Sequence, residues 1–122
     1  WGITDIPVAY DPPASDPAQI ETQRQAAPEA DGLIACTLQR EPARKLVNLT
    51  RMPVLVTTAE ASYHAPYDHC TAAYLRQAGV PVDFIRLPER GIHGNGHMVM
   101  LEKNNLQIAD FIDGWIRSRL KP

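Results

Sequence analysis

The 122-residue chain has only two cysteines, Cys36 and Cys70, too few for a disulfide scaffold. They read either as one bridge or as two buried thiols, and neither lies in a redox or zinc-binding motif. No apolar run approaches the roughly 20 residues that span a bilayer, so no membrane span is expected. Charge of either sign is not in excess. The net charge of −2 gives no reason to expect nucleic acid or an anionic membrane surface as a partner. The first residues lack an initiator Met and a leader with a basic start and apolar middle. Residue 1 is therefore expected to be a processing or truncation point, with any targeting segment upstream. The triplet Asn48-Leu49-Thr50 is compatible with secretion, and the compartment, secreted, periplasmic or other, stays open. Internal repeats and low-complexity segments are absent too.

What is present is the ordinary composition of a globular domain, 44% hydrophobic and 21% charged. The length suits one small domain with one core. Residues 1–31 hold five of the eleven prolines, Pro7, Pro12, Pro13, Pro17 and Pro28. Proline removes a backbone donor and resists helix interiors and central strands. Trp1, Ile3, Ile6, Val8 and Tyr10 are nonetheless too apolar for a disordered tail, so a long ordered loop packed on something is expected. Residues 37–49, "TLQREPARKLVNL", are expected to carry a short helix with Pro42 in its first turn. The run "REPARK" within it reads as a solvated face.

From residue 53 the pattern sharpens. "PVLVTTA" is a β-branched run suited to a strand buried on both faces. Tyr67, Cys70, Ala73, Tyr74 and Ala78 then fall at helical spacing, with Gly79 as a stop. Asp68 sits where a carboxylate complements the helix dipole. "VDFIRL", residues 82–87, is a second strand. Strand, helix and strand over about 35 residues match a right-handed parallel crossover unit. A last helix is expected over about 104–119. Its stripe is Ile108, Phe111, Ile112, Trp115 and Ile116, and Asn104 or Asn105 can cap it.

Such a chain is α/β with a parallel sheet, and ligands of open α/β sheets bind beyond the carboxyl ends of the strands. Two loops leave those ends. "TAEASYHAPYDH" follows the first strand and "PERGIHGNGH" the second. The second is rich in glycine, which supplies backbone freedom for a tight turn. It presents His93 and His97, and histidine gives and takes a proton near neutral pH. Tyr63, His64 and Tyr67 line a pocket or cover the sheet edge. A metal site built from His64, His69, His93 and His97 is the weaker reading. The His93/His97 spacing suits zinc only on one helical face, and Gly94 and Gly96 argue against a helix. No cofactor is expected.

The stretch "GIHGNGHMVMLEKNNLQIADFIDGWI" resembles the C-terminal part of the α/β-hydrolase superfamily, in particular a bacterial serine carboxylesterase group with an HGNSHMMM-type histidine loop. The similarity runs back through "MPVLVTTAEASYHAPYDHC" and "LRQAGVPVDFIRLPERG". It covers roughly residues 53–119, and the first 50 residues only loosely. The resemblance implies that His97 is the triad base. It also implies a serine nucleophile in a GxSxG-type elbow between strand and helix. No such motif occurs among these 122 residues, and Ser15, Ser62 and Ser118 lack the flanking glycines. The nucleophile is then expected upstream of Trp1. Glu60, at the end of "VLVTTAE", holds a place where many α/β-hydrolases carry the triad acid. In the esterase group the glutamate lies one strand earlier, which would also be upstream. Glu60 is thus the acid, a backup or a structural residue.

On this reading residues 1–122 form a single partial domain. Residues 1–52 are the Pro-rich loop and short helix, a cap or pocket region in which Trp1, Ile3, Ile6 and Tyr10 wall an apolar pocket or simply pack as a surface loop. Residues 53–122 are strand, helix, strand, histidine loop and helix. The partners implied are a small-molecule ester and the upstream part of the same hydrolase. Alone, the chain is expected to be inactive and to fold poorly. The competing class is a non-catalytic α/β fragment or interaction module that retains the loop for packing.

Overall fold

The structure is a computed structural model that describes residues 8–120. Its elements in chain order are β1 (Tyr10–Asp11), β2 (Thr22–Arg24), β3 (Thr37–Gln39), β4 (Lys45–Leu46), β5 (Val54–Thr58), α1 (Asp68–Gln77), β6 (Val82–Arg86) and α2 (Asn105–Arg119). One-turn 3-10 helices at Pro17–Gln19, Leu87–Arg90 and Val99–Leu101 punctuate the loops.

The parallel crossover unit is present. β5 and β6 pair in parallel from Val54 opposite Val82 to Thr58 opposite Arg86, and α1 connects them. Gly79 ends the α1 turn at φ 80°, a left-handed conformation that a side chain rarely adopts. α1 packs on β3, β5 and β6. Its deepest residues are Ala72 and His69, one position off the expected stripe of Cys70, Ala73 and Tyr74, which are half-buried. The continuous apolar run in β5 suggested burial on both faces. Val54 to Thr57 are instead half-buried, because β5 and β6 pair only with each other among the described residues and each keeps one free edge.

The amino-terminal half departs from expectation in two ways: β1 and β2 fall within the segment expected to be an irregular loop, and the helix expected after it is absent. The short helix expected over 37–49 is replaced by β3, a turn and β4. The residue before a proline is pushed away from the helical region, so Glu41 before Pro42 resists a helix. The turn is held from within by Gln39, which is 3% exposed. Its Oε1 accepts from the Arg44 N–H at 3.0 Å and its Nε2 donates to the Arg44 carbonyl at 3.0 Å. β3 pairs antiparallel with β2, and β4 with β1. Apart from β1, β2 and the 3-10 turn at Pro17–Gln19, the described part of the opening segment is irregular, as its prolines imply. Trp1, Ile3 and Ile6 lie outside the described residues, so their expected pocket role falls there as well. Val8 is exposed. Tyr10 packs on the core, its hydroxyl 3.4 Å from that of Tyr74. Burial first, and then this contact, pushes the Tyr74 hydroxyl up to about 12.

Cys36 and Cys70 form a disulfide with a Cα–Cα distance of 5.1 Å. It ties the entry to β3 onto α1 across 34 residues of chain, a loop closure that contributes about 4 kcal/mol in the chain-entropy account. Two apolar clusters flank the β5–β6 pair. Leu46, Ala78 and Val80 gather Leu49, Val54 and Val82 at its amino end. Ala59, Leu87, Ile92 and Ile108 gather Val99, Phe111 and Ile112 at its carboxyl end. α2 is fixed at a second point where the Trp115 Nε1–H donates to Asp83 on β6 at 2.7 Å, and Arg119 reaches the same carboxylate. These donors hold the Asp83 carboxyl below its ordinary range, Trp115 contributing most. Ile116, counted in the expected stripe, is exposed. Asn104 occupies the cap position of α2 without a side-chain cap bond, because its amide is engaged by Asn95.

Candidate active site

The two loops expected to meet at the carboxyl edge of the sheet do meet. Ala61 N–H donates to the Asn95 carbonyl at 2.9 Å. The loop after β6 turns sharply at Gly91 (φ 72°) and Gly94 (φ 75°), both in the left-handed region. Three side chains then fasten it. Glu60 Oε2 accepts the Gly94 N–H at 2.8 Å. Glu102 Oε1 accepts the Gly96 N–H at 2.8 Å. Asn95, 2% exposed, exchanges amide hydrogen bonds with Asn104. A glycine-rich segment with so many internal ties is a fixed scaffold, and His97 stands at its end.

His97 is exposed, but its ring is positioned on three sides. Nδ1 lies 3.1 Å from Ser62 Oγ. The His64 ring stacks on it with centroids 4.1 Å apart and planes 27° apart. Tyr63 packs at 4.5 Å. Nε2 makes no hydrogen bond among the described residues. Ser62 is 7% exposed, and its Oγ also accepts the His64 N–H at 3.1 Å. His64 Nδ1 in turn lies 3.2 Å from Asp68 at the start of α1. The chain Asp68, His64, His97, Ser62 lines a cavity of about 150 Å³ with Thr57, Thr58, Ala59 and Val99. The buried Thr58 hydroxyl there has no hydrogen-bond partner among the described residues.

Glu60 is elsewhere. Its carboxylate is half-exposed and pairs with His93 Nδ1 at 3.4 Å as well as with Gly94. The Gly94 N–H first, and His93 second, draw its carboxyl below the ordinary carboxylate range. Both site residues read from the sequence, His97 and Glu60, therefore sit on the same pair of loops but do not touch each other's functional atoms. His93 stabilises the loop through Glu60. Of the four histidines, His64 and His97 stack together and His93 pairs with Glu60. His69 is buried, with Nε2 3.2 Å from the Ile34 carbonyl and Nδ1 without a partner among the described residues. Among the described residues the one set of three close ligand atoms is Cys36, His69 and Cys70, and its two sulfurs are bonded to each other.

Sequence reasoning did not find Ser62, Asn95 or Glu102. Ser62 lacks the flanking glycines of an elbow, and the signal it carries is its position two residues beyond Glu60 on a strand-end loop. Asn95 and Glu102 carry no signature beyond their place in the loop.

No family model matches the chain, and no solved structure matches it. Over 120 residues, 98% of its length, it is 49% identical to "Probable secreted lipase phiG" of a fungal species (strain ATCC 74256). The match covers 33% of that protein, so the chain spans about a third of the length of the curated relative it resembles, a lipase by name.

Proposed function

We propose that residues 1–122 supply the histidine of a lipase- or esterase-type serine hydrolase with an α/β-hydrolase fold, the nucleophile coming from sequence outside them. The observation that carries the reading is His97, an exposed residue held at the carboxyl edge of a parallel pair with Nδ1 at a hydroxyl and Nε2 without a hydrogen bond among the described residues. The similarity to a named lipase and the absence of a GxSxG motif in these residues support it.

The chemistry follows from that ring. With the proton on Nδ1, donated to Ser62 Oγ, Nε2 carries the lone pair and acts as base. It takes the hydroxyl proton of the serine as that oxygen attacks the ester carbonyl, then gives it to the departing alcohol. Water repeats the sequence on the acyl-enzyme. The imidazolium formed at each step needs a counter-charge, which a neutral Ser62 does not supply. Glu60 is occupied by Gly94 and His93, so it acts as a positioning residue for the histidine loop, and a carboxylate outside these residues balances His97. The disulfide fits an oxidising compartment, and with the relative's name it supports export.

A second reading has one observation in its favour: Ser62 is the serine that touches His97, which would make it the nucleophile. Its burial and its bond to the His64 amide weigh against this. Labelling the complete protein with a fluorophosphonate, followed by peptide mapping, separates the two. The expected adduct is on a serine outside residues 1–122. An adduct on Ser62 overturns the proposal.

A further inference from the structure

The Asn48-Leu49-Thr50 triplet plays no part in the site just described, and its setting in the fold gives it one of its own. β4 ends at Leu46, and residues 47–50 form a turn. The turn is closed by the Leu49 N–H donating to the Leu46 carbonyl at 2.9 Å and the Thr50 hydroxyl donating to the Val47 carbonyl at 3.0 Å. Leu49 packs inward against Leu46, Ala78 and Val80. Asn48 is exposed, and its side chain makes no hydrogen bond among the described residues. The turn thus presents the asparagine outward while the middle residue anchors it.

We infer that Asn48 is an N-glycosylation site. The inference rests on the export reading above. The donor is a lipid-linked oligosaccharide pyrophosphate. The Asn48 amide nitrogen bonds to the anomeric carbon as the bond from that carbon to the pyrophosphate oxygen breaks. The lipid pyrophosphate leaves, and one amide proton goes to base. Thr50 supplies the hydroxyl that completes the acceptor triplet.

Position decides whether such a glycan is compatible with catalysis. The turn lies at the amino end of β5, and His97 and Ser62 lie beyond its carboxyl end. The strand separates them by its own length, about 13–17 Å at ~3.3 Å per residue. A glycan on Asn48 covers the exposed Val47 and Met52 side chains beside it and leaves the candidate active site open.

The test directs the complete protein through the secretory pathway of a yeast host and maps peptides with and without peptide-N-glycosidase. Trypsin releases Leu46–Arg51. After deglycosylation this peptide is expected with Asn48 converted to Asp, and without treatment the bare peptide is expected to be largely missing. Asn48→Gln and Thr50→Ala should each abolish the modification, and Thr50→Ser should retain it. Asn48→Gln should leave the protein folded and exported, since the Asn48 side chain makes no hydrogen bond among the described residues. Exported, disulfide-bonded protein with an unmodified Leu46–Arg51 peptide overturns the glycosylation site and leaves the export reading standing. Retained protein with Cys36 and Cys70 as free thiols overturns both. Modification that survives Thr50→Ala overturns the assignment to the triplet.

Discussion

Ser62→Ala removes one oxygen that accepts two hydrogen bonds, from His97 Nδ1–H in the tautomer proposed above and from the His64 N–H, both at 3.1 Å. The residue is 7% exposed, so water does not readily replace it. For stability, the lost hydroxyl leaves a buried amide unpaired, a cost of about 1–3 kcal/mol. For turnover, a neutral hydrogen bond contributes about 0.5–1.5 kcal/mol net. If it orients His97 only in the reactive state, kcat falls by about 2- to 12-fold, at ~1.4 kcal/mol per factor of ten. Loss of the charged member of a triad costs about 10⁴-fold, so the two roles differ by orders of magnitude. The assay is kcat and KM of the complete enzyme on a short p-nitrophenyl ester, read beside its melting temperature. Ser62→Thr keeps the hydroxyl and should recover most of the loss. A change under twofold in kcat would mean that another group holds Nδ1. A loss as deep as that of His97→Ala, unrescued by threonine, would make Ser62 part of the covalent chemistry and refute the positioning argument.

Glu60→Gln should lower turnover by less than about tenfold, since Glu60 acts through the loop. A loss of several orders of magnitude would make it the triad acid. Its carboxyl is depressed below the ordinary value of 4.5, so its hold on the loop is complete above that value and fades as pH falls through the lower folded one. The Gly94 amide resonance should titrate with a midpoint below 4.5, and a midpoint at or above it contradicts the contact. Ile108→Ala, at a position 2% exposed under the histidine loop, should cost about 2–5 kcal/mol in a denaturation experiment. A cost under about 0.5 kcal/mol, the range of a surface change, would mean that α2 is not docked there.

The carboxyl-terminal half was legible because its signals are local and agree with one another. The β-branched run of β5, the helical spacing of α1 closed by Gly79, and the stripe through Ile108, Phe111 and Ile112 each specify one element. Their lengths leave little but a parallel crossover. His97 was legible for the same reason, as a titratable side chain on a glycine loop at a strand end. The 37–49 segment reads as a helix by composition, but Pro42 keeps Glu41 out of the helical region and the local Gln39–Arg44 bonds close a turn there, which the composition does not reveal. Ser62 against His97, and Glu60 against His93 rather than His97, depend on how two loops far apart in sequence interlock. No spacing within either loop carries that information. Whether Cys36 and Cys70 are bridged was open for the same reason.

The central claim is that His97 is the base. In the complete enzyme, His97→Ala and His97→Gln should each remove nearly all turnover of a short p-nitrophenyl ester while leaving the melting temperature within a few degrees, and His93→Ala measured beside them should cost far less. An active His97→Ala enzyme, or an inactive His93→Ala enzyme in its place, would contradict the account.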